Sequence, residues 1–246
     1  MTPGTVLLPA DGKDSTIPNR ALLGQLRWVA RCSRPDIMAA VSVVSKFCTT
    51  YRPEHYTALK QVLRYPQGAM DYKFVLRATV EQGGGISTVP LCIYTDADHA
   101  GCKVTRRSTS GIAVFFCGSL MMYSSIIQKC GSLFTTEAEI IAMSEGAREV
   151  NYVLNVLSNM IEAMVPVPMY CGNQGSIHLA SNYVNNNRSK KIDVRDMHIR
   201  EQVKAVKIEP LYTNTNDNVA DIHTKPLCAP SFTMHRQRLG IMELEE

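Results

Sequence analysis

Four acidic positions, Asp96, Asp98, Glu139 and Asp221, could do chemistry at the ends of elements. Asp96 and Asp98 close the apolar run PLCIYTDAD, Glu137 and Glu139 lie in TTEAEIIAMSE, and Asp221 lies in NVADIHTK. Ligands of α/β sheets gather at the carboxyl ends of strands, which makes Asp96 a candidate. Sparse Asp and Glu on separate elements are what a hard cation needs, because Mg²⁺ takes oxygen ligands in octahedral geometry. Two-metal phosphodiester cleavage uses several carboxylates around ions about 4 Å apart. Each residue also has a plain structural use. Asp96 can bond its own turn, with Asp98 on the same face two residues on. Thr136-x-x-Glu139 has the spacing of a capping box, and Glu137, Glu139 and Asp221 all suit the positive end of a helix dipole. By spacing alone, capping is the better account of Glu139.

The stretch VPMYCGNQGSIHLA raises a sharper question, because the first residue after the apolar run is Gly172, which has no side chain to offer. Asn173 and Gln174 follow it; they can cap a helix or reach a sugar or base edge. Basic residues cluster in GCKVTRRSTSG, with Arg106 and Arg107, and in the loop holding Arg188, Lys190, Lys191 and Arg195. Such runs are as readily a solvated face as a phosphate contact.

The elements that must position these residues can be read from periodicity. From Ile17 to about Gln67 the pattern is helical in three pieces: NRALLGQLRWVAR, then SRPDIMAAVSVVSKFC with Ser33 as N-cap, then RPEHYTALKQVLRY, stopped by Pro66 and Gly68. DYKFVLRATV alternates as a strand does, and EQGGGIST is the clearest linker. Beyond it come PLCIYTDAD and a hairpin of SGIAVFFCG and LMMYSSII, followed by a long helix from about Thr136 to Met160 with Val150, Val153, Leu154, Leu157 and Ile161 on one face. VPVPMYC and KIEPLYT are further strands; NQGSIHLASNY, DVRDMHIREQVKAV and DNVADIHTK are expected as helices. This order predicts a mixed sheet with helices packed on it. The expected divisions are a lead-in at 1–16, a helical segment at 17–80, a linker at 81–89, an α/β domain at 90–227 and a tail at 228–246.

A chain of 246 residues with 45% hydrophobic and 20% charged residues can bury a proper core. Its net charge of +4 fits a nucleic-acid partner without requiring one. The eight cysteines form no C-x-x-C pair or zinc clip, and most sit in apolar runs, as Cys92, Cys117 and Cys171 do, so buried reduced thiols are expected. MTPGTVLLPADGKDS lacks the basic and apolar regions of a signal peptide, and no window is apolar enough to span a bilayer; a soluble, intracellular chain with no membrane partner is expected.

YTDADHAG…RRSTSG, TTEAEIIAMSE, CGNQGSIHLA, KKIDVRDMHIRE and NVADIHTKPL, in this order, resemble the ribonuclease H domain of copia-type retrotransposon Pol polyproteins. LLGQLRWVARCSRPDIMAAVSVVSKF with HYTALKQVLRY resembles the reverse transcriptase thumb and connection just upstream, so the resemblance covers about residues 17–227. It implies a ribonuclease H-like fold: a mixed five-stranded sheet flanked by helices, here preceded by a small, mainly helical segment. The implied activity is Mg²⁺- or Mn²⁺-dependent cleavage of RNA in an RNA–DNA hybrid. The implied metal ligands are Asp96, Glu139 (with Glu137 the lesser match) and Asp221. The family's fourth carboxylate follows the strand before the Asn-Gln pair; here that position is Gly172. The resemblance also implies nucleic-acid contacts at Arg106, Arg107, Asn173, Gln174, Lys190, Lys191 and Arg195.

Three carboxylates balance two divalent ions less well than four. Even loss of a ligand's supporting partner costs about 10–100-fold in metal affinity or activity. Hydrolysis is therefore expected to be weakened or lost. The alternatives are an active ribonuclease H using Asp98, Asp193 or Asp196 as substitute ligand, and a non-catalytic nucleic-acid-binding or interaction module. His99, where the family carries an aromatic residue, and Pro66, inside a helix, are further departures. The chain reads as a fragment or a decayed or domesticated copy, with the polymerase part of such a polyprotein as a partner. Its expected location is the cytoplasm or nucleus, or the virus-like particle of the parent element.

Overall fold

The computed structural model describes residues 7–9, 18–77, 90–160, 165–182 and 193–243. The expected linker at 81–89, together with Arg188, Lys190 and Lys191, lies outside the described residues. Three helices come first: α1 (Asn19–Cys32), α2 (Met38–Ser45) and α3 (Pro53–Gln67). They close on Leu23, Leu26, Val41, Val44, Leu59 and Val62, an apolar cluster of their own. The chain enters α2 through a 3₁₀ turn, Pro35–Ile37, flanked by Arg34 rather than by Ser33. Ser33 instead donates its hydroxyl back to Val29 O, and the Arg34 guanidinium grips Asp36 at 2.8 and 3.0 Å. Proline fixes φ there and starts the turn without help from a cap. Pro66 sits within the last turn of α3, and Gly68 is its C-cap.

The remainder builds a five-stranded sheet in the order β4-β3-β2-β5-β6, from β2 (Leu91–Asp98), β3 (Thr109–Phe116), β4 (Ser119–Ile127), β5 (Val167–Cys171) and β6 (Ile208–Tyr212). β2, β3 and β4 are antiparallel, whereas β5 runs parallel to β2 and β6 parallel to β5. This is the ribonuclease H-like mixed sheet. The hairpin loop is Cys117-Gly118, both at positive φ (50° and 75°), the two-residue geometry whose twist matches the flanking strands. β1 (Tyr72–Phe74) pairs with β7 (Ile241–Glu243) in a separate two-stranded sheet.

Helices α4 (Thr135–Leu157), α5 (Gln174–Ser181) and α6 (Asp193–Lys204) accompany the sheet, and α7 (Ala229–Arg238) precedes β7. One core joins Ile93, Ile112, Met143, Val150, Met169 and Ile199; the other side of the sheet is covered by Val219, Ile222 and Leu239 against Ala113, Phe115 and Leu120. The segment expected as a closing helix is instead two 3₁₀ turns, Thr215–Asp217 and Val219–His223. Asn218 divides them: its Oδ1 accepts from Ala220 N while its Nδ2 donates to Thr95 O of β2 at 2.9 Å. That tie pulls the second turn onto the central strand.

The helical segment meets the sheet through polar contacts. Tyr123 on β4 donates to Ala30 O (2.9 Å), and Ser42 donates to Ser125 O (3.2 Å). All eight cysteines are reduced, but Cys32, Cys130 and Cys228 are exposed and Cys48, Cys92 and Cys117 only half-buried, so the expectation of buried thiols holds for Cys102 and Cys171 alone. Among the described residues, no helix is long and apolar enough to cross a membrane.

Two glycines set the spacing on which the site depends. A Cβ at Gly111 would lie 2.6 Å from Ala220 O and 2.6 Å from Thr224 Cγ2; one at Gly146 would lie 2.9 Å from both Ile93 Cδ1 and Thr95 Cγ2. Gly111 thus lets the 219–223 turn press on β3, and Gly146 lets α4 press on β2. Gly111→Ala is expected to lower the thermal midpoint by an amount matching overpacking, about 1–3 kcal/mol. Gly131→Ala, where a Cβ meets nothing within 4 Å, should leave it nearly unchanged. Equal effects in parallel melts would contradict this spacing argument.

Candidate active site

The register of the central strands brings the predicted residues to one end of the sheet. Asp96 on β2 sits opposite Gly111 of β3, and Thr95 pairs with Cys171 of β5, so Gly172 comes level with Asp96. Asp96, Glu139 and Asp221 are all buried. Helix α4 begins at Thr135 with Phe134 as N-cap and no side-chain cap, so Thr136 and Glu139 do not form a capping box. Glu137 takes the supporting job, accepting from Leu133 N at 2.7 Å. Glu139 lies one half-turn deeper, where its Oε2 accepts weakly from the Cys171 thiol at 3.8 Å.

At least one oxygen of each of these carboxylates is engaged by the protein. Thr224 donates its hydroxyl to Asp96 Oδ2 at 2.6 Å. The Lys225 ammonium lies 3.1 Å from Asp221 Oδ2 and 3.7 Å from Asp96 Oδ2, bridging the two. Asp221 Oδ1 is buried without a hydrogen-bond partner. Burial, then the charge of Asp96, pushes Glu139 up to about 8 and Asp221 up to about 7. Burial alone would lower the Lys225 ammonium, but Asp96 and Asp221 outweigh it and raise it. Asp98, at the last position of β2, is raised chiefly by burial, with Lys225 opposing. Among the described residues, no group of three or more His, Cys, Asp or Glu side chains is arranged to hold a metal ion. The oxygen chemistry is that of a Mg²⁺ site, yet a lysine stands between two of its members. As arranged, the residues do not fit a divalent ion.

Gly172 leaves open room. A Cβ there would meet only Thr213 O at 3.9 Å and Asn218 Nδ2 at 4.0 Å, which is ordinary contact. No neighbouring carboxylate is brought into that space among the described residues. Asn173 is spent on capping α5, its Oδ1 accepting from Ser176 N at 3.0 Å, while Gln174 is exposed. Arg106 and Arg107 are exposed on the β2–β3 loop, closed by Arg106 N to Cys102 O (2.8 Å) and Cys102 N to Arg107 O (3.1 Å). Arg195, Asp193 and Asp196 fall in α6, and their side chains lie outside the described residues.

Sequence reasoning passed over Thr224, Lys225 and Asn218. The signal for Lys225 was present: it follows Asp221 at i+4, the spacing at which opposite charges meet. His223, at the same turn, is fully buried; it stacks on Tyr123 with ring centroids 5.8 Å apart, and burial pushes it down to about 3.

Opposite pH slopes follow from these shifts. Glu139 and Asp221 hold protons in the folded chain that the unfolded chain releases near the ordinary carboxylate range. Their contribution is therefore complete at low pH and lost as pH rises toward 7 and 8. His223 works the other way: its stabilisation is present above the ordinary histidine value and lost as pH falls toward 3. The two windows overlap between the ordinary carboxylate and histidine values, so over that range the carboxyl loss and the histidine gain oppose each other. Glu139→Gln should raise the thermal midpoint at pH near 8 and leave it almost unchanged near pH 4.5, where Glu139 is already neutral. Melts across that range check the sign; destabilisation by Glu139→Gln at the alkaline end would contradict it.

No protein-family model matches the chain. The chain is similar to the retrovirus-related Pol polyprotein from transposon TNT 1-94 of Nicotiana tabacum, 34% identical over 241 residues, which is 98% of this chain and 17% of that protein. The corresponding polyprotein from transposon RE1 of Arabidopsis thaliana is 32% identical over 244 residues, 98% of this chain and 16% of that protein. The chain thus spans about a sixth of the length of these curated relatives. Among solved structures, the compost-derived ribonuclease H1 LC11 overlays with a TM-score of 0.41 at 16% identity, covering 55% of this chain and 92% of that one.

Proposed function

The chain belongs to the copia-type retrotransposon Pol polyprotein family, and from that premise we propose that it is a ribonuclease H-like module that binds RNA–DNA hybrid while its metal-dependent hydrolysis is weakened or lost. The observation that carries this reading is the pairing of an empty side-chain position, Gly172, with three acidic neighbours already engaged by Lys225, Thr224 and Cys171. In the family the cofactor implied is Mg²⁺ or Mn²⁺, with Asp96, Glu139 and Asp221 as its ligands here; no catalytic step is assigned through it, since the arrangement does not fit it.

What remains is a surface suited to holding a duplex. Arg106 and Arg107 lie on a loop closed by backbone bonds at the same end of the sheet as Asp98, which supports their assignment as phosphate contacts. Phosphate contacts position a duplex by charge, and the 2′-hydroxyl is what marks its RNA strand. Gln174 is exposed at the start of α5, two residues after Gly172, which supports a contact to a sugar or base edge. Lys190, Lys191 and Arg195 extend the same role in sequence. The polymerase part of such a polyprotein is the proposed protein partner.

Binding of a labelled RNA–DNA hybrid should weaken steeply between about 50 and 200 mM salt, and Arg106→Ala with Arg107→Ala should reduce the logarithmic salt slope by about two. The wild type should cut the RNA strand slowly or not at all in Mg²⁺ or Mn²⁺, and Gly172→Asp should cut at least about tenfold faster. Salt-independent binding would defeat the duplex-holding reading. Cleavage by the wild type as fast as by Gly172→Asp, and abolished by Asp96→Asn, would establish an active enzyme with a substitute ligand.

A further inference from the structure

The mismatch between an oxygen-rich site and its lysine carries a further inference, which rests on the reading of this site just given. Asp96 comes from the central strand and Asp221 from a 3₁₀ turn on the far side of the sequence, yet their Oδ2 atoms share one ammonium, at 3.7 and 3.1 Å. Thr224 adds a 2.6 Å hydrogen bond to the same Asp96 oxygen and also bonds Asp221 O, so the turn is fastened to β2 by adjacent residues. A divalent ion bridging these carboxylates would do the same mechanical job, and it would need the same oxygens.

We propose that Lys225 is the resident counter-cation of this site: its ammonium holds the 219–223 turn to the central strand in place of a divalent ion and competes with such an ion for Asp96 and Asp221. The groups facing the ammonium are Asp96, Asp98 and Asp221, with Glu139 behind them on α4. With Gly172 in place of a carboxylate, a single positive charge goes further toward balancing the cluster than it would against four acids. Pro226 follows directly and restricts the backbone of Lys225. Lys225 is thus a positioning residue, acting through the carboxylates rather than on a substrate.

The test compares wild type, Lys225→Arg and Lys225→Met, all as the full chain, by thermal unfolding in EDTA and in excess Mg²⁺ or Mn²⁺, with Mn²⁺ binding followed by electron paramagnetic resonance. The wild type and Lys225→Arg should melt at the same temperature with and without the ion. Lys225→Met keeps the apolar stem and loses the charge; it should melt lower in EDTA, recover on adding Mn²⁺, and bind Mn²⁺ at least about tenfold more tightly than the wild type. A wild type that Mg²⁺ or Mn²⁺ stabilises as strongly as Lys225→Met overturns the proposal, as does a Lys225→Met chain that melts with the wild type in EDTA. If Lys225→Met does not fold, the wild type and Lys225→Arg decide alone, since a metal-induced rise in either contradicts a resident lysine. Hybrid binding measured on the same samples separates the two readings: its loss would sink the duplex-holding function and leave the metal response unaffected.

Discussion

Buried carboxylates cannot crowd together at the end of a sheet without a cation or protons to offset them, and much of this structure follows from how that is met. Burial first, and then the like charge of Asp96, raise the pKa of Glu139 and Asp221. Lys225 supplies the opposite charge from inside the chain. Because Lys225, Thr224 and Asp221 share one turn, meeting the electrostatic need also fixes where that turn sits. The turn can come this close only because Gly111 presents no Cβ to it, and α4 can bring Glu139 up to β2 only because Gly146 presents none to Ile93 and Thr95. Charge and packing thus specify the same geometry.

The fourth position explains why a lysine suffices. Where an aspartate would add another negative charge beside Asp96, Gly172 leaves a gap that neither side chain nor backbone fills closely. Without that charge the attraction for a doubly charged ion falls, while a single ammonium with good contacts to two carboxylates keeps its advantage. Only the carboxylate side of the bridge is buried; the Lys225 side chain is half-buried. A fourth carboxylate would tilt the same competition back toward the ion. The apolar clusters on the two sides of the sheet, around Ile93 and Met143 and around Val219 and Ile222, close without any of these carboxylates.

The order of elements was legible because alternation and helical spacing report burial directly: the run ending in Asp96 became the central strand, and the hairpin formed around Cys117-Gly118. What spacing could not tell was the destination of side chains. Thr136-x-x-Glu139 has capping spacing, but helix α4 starts one residue earlier and gives that work to Glu137, freeing Glu139 to face Asp96. DNVADIHTK has helical composition, yet Asn218 binds β2 and holds the segment as 3₁₀ turns, a tertiary contact no local pattern encodes. Lys225 was written at i+4 from Asp221, but surface pairs share that spacing; only the approach of β2 turns the pair into a bridge between distant segments.

The central claim is that a lysine, and not a divalent ion, occupies the junction of Asp96 and Asp221. Anomalous diffraction from crystals of the wild-type chain grown with Mn²⁺ tests it most directly. The expected result is no manganese peak among Asp96, Glu139 and Asp221, with Lys225 bridging the two aspartates. A pair of manganese peaks about 4 Å apart at that junction, with Lys225 turned away, would contradict it.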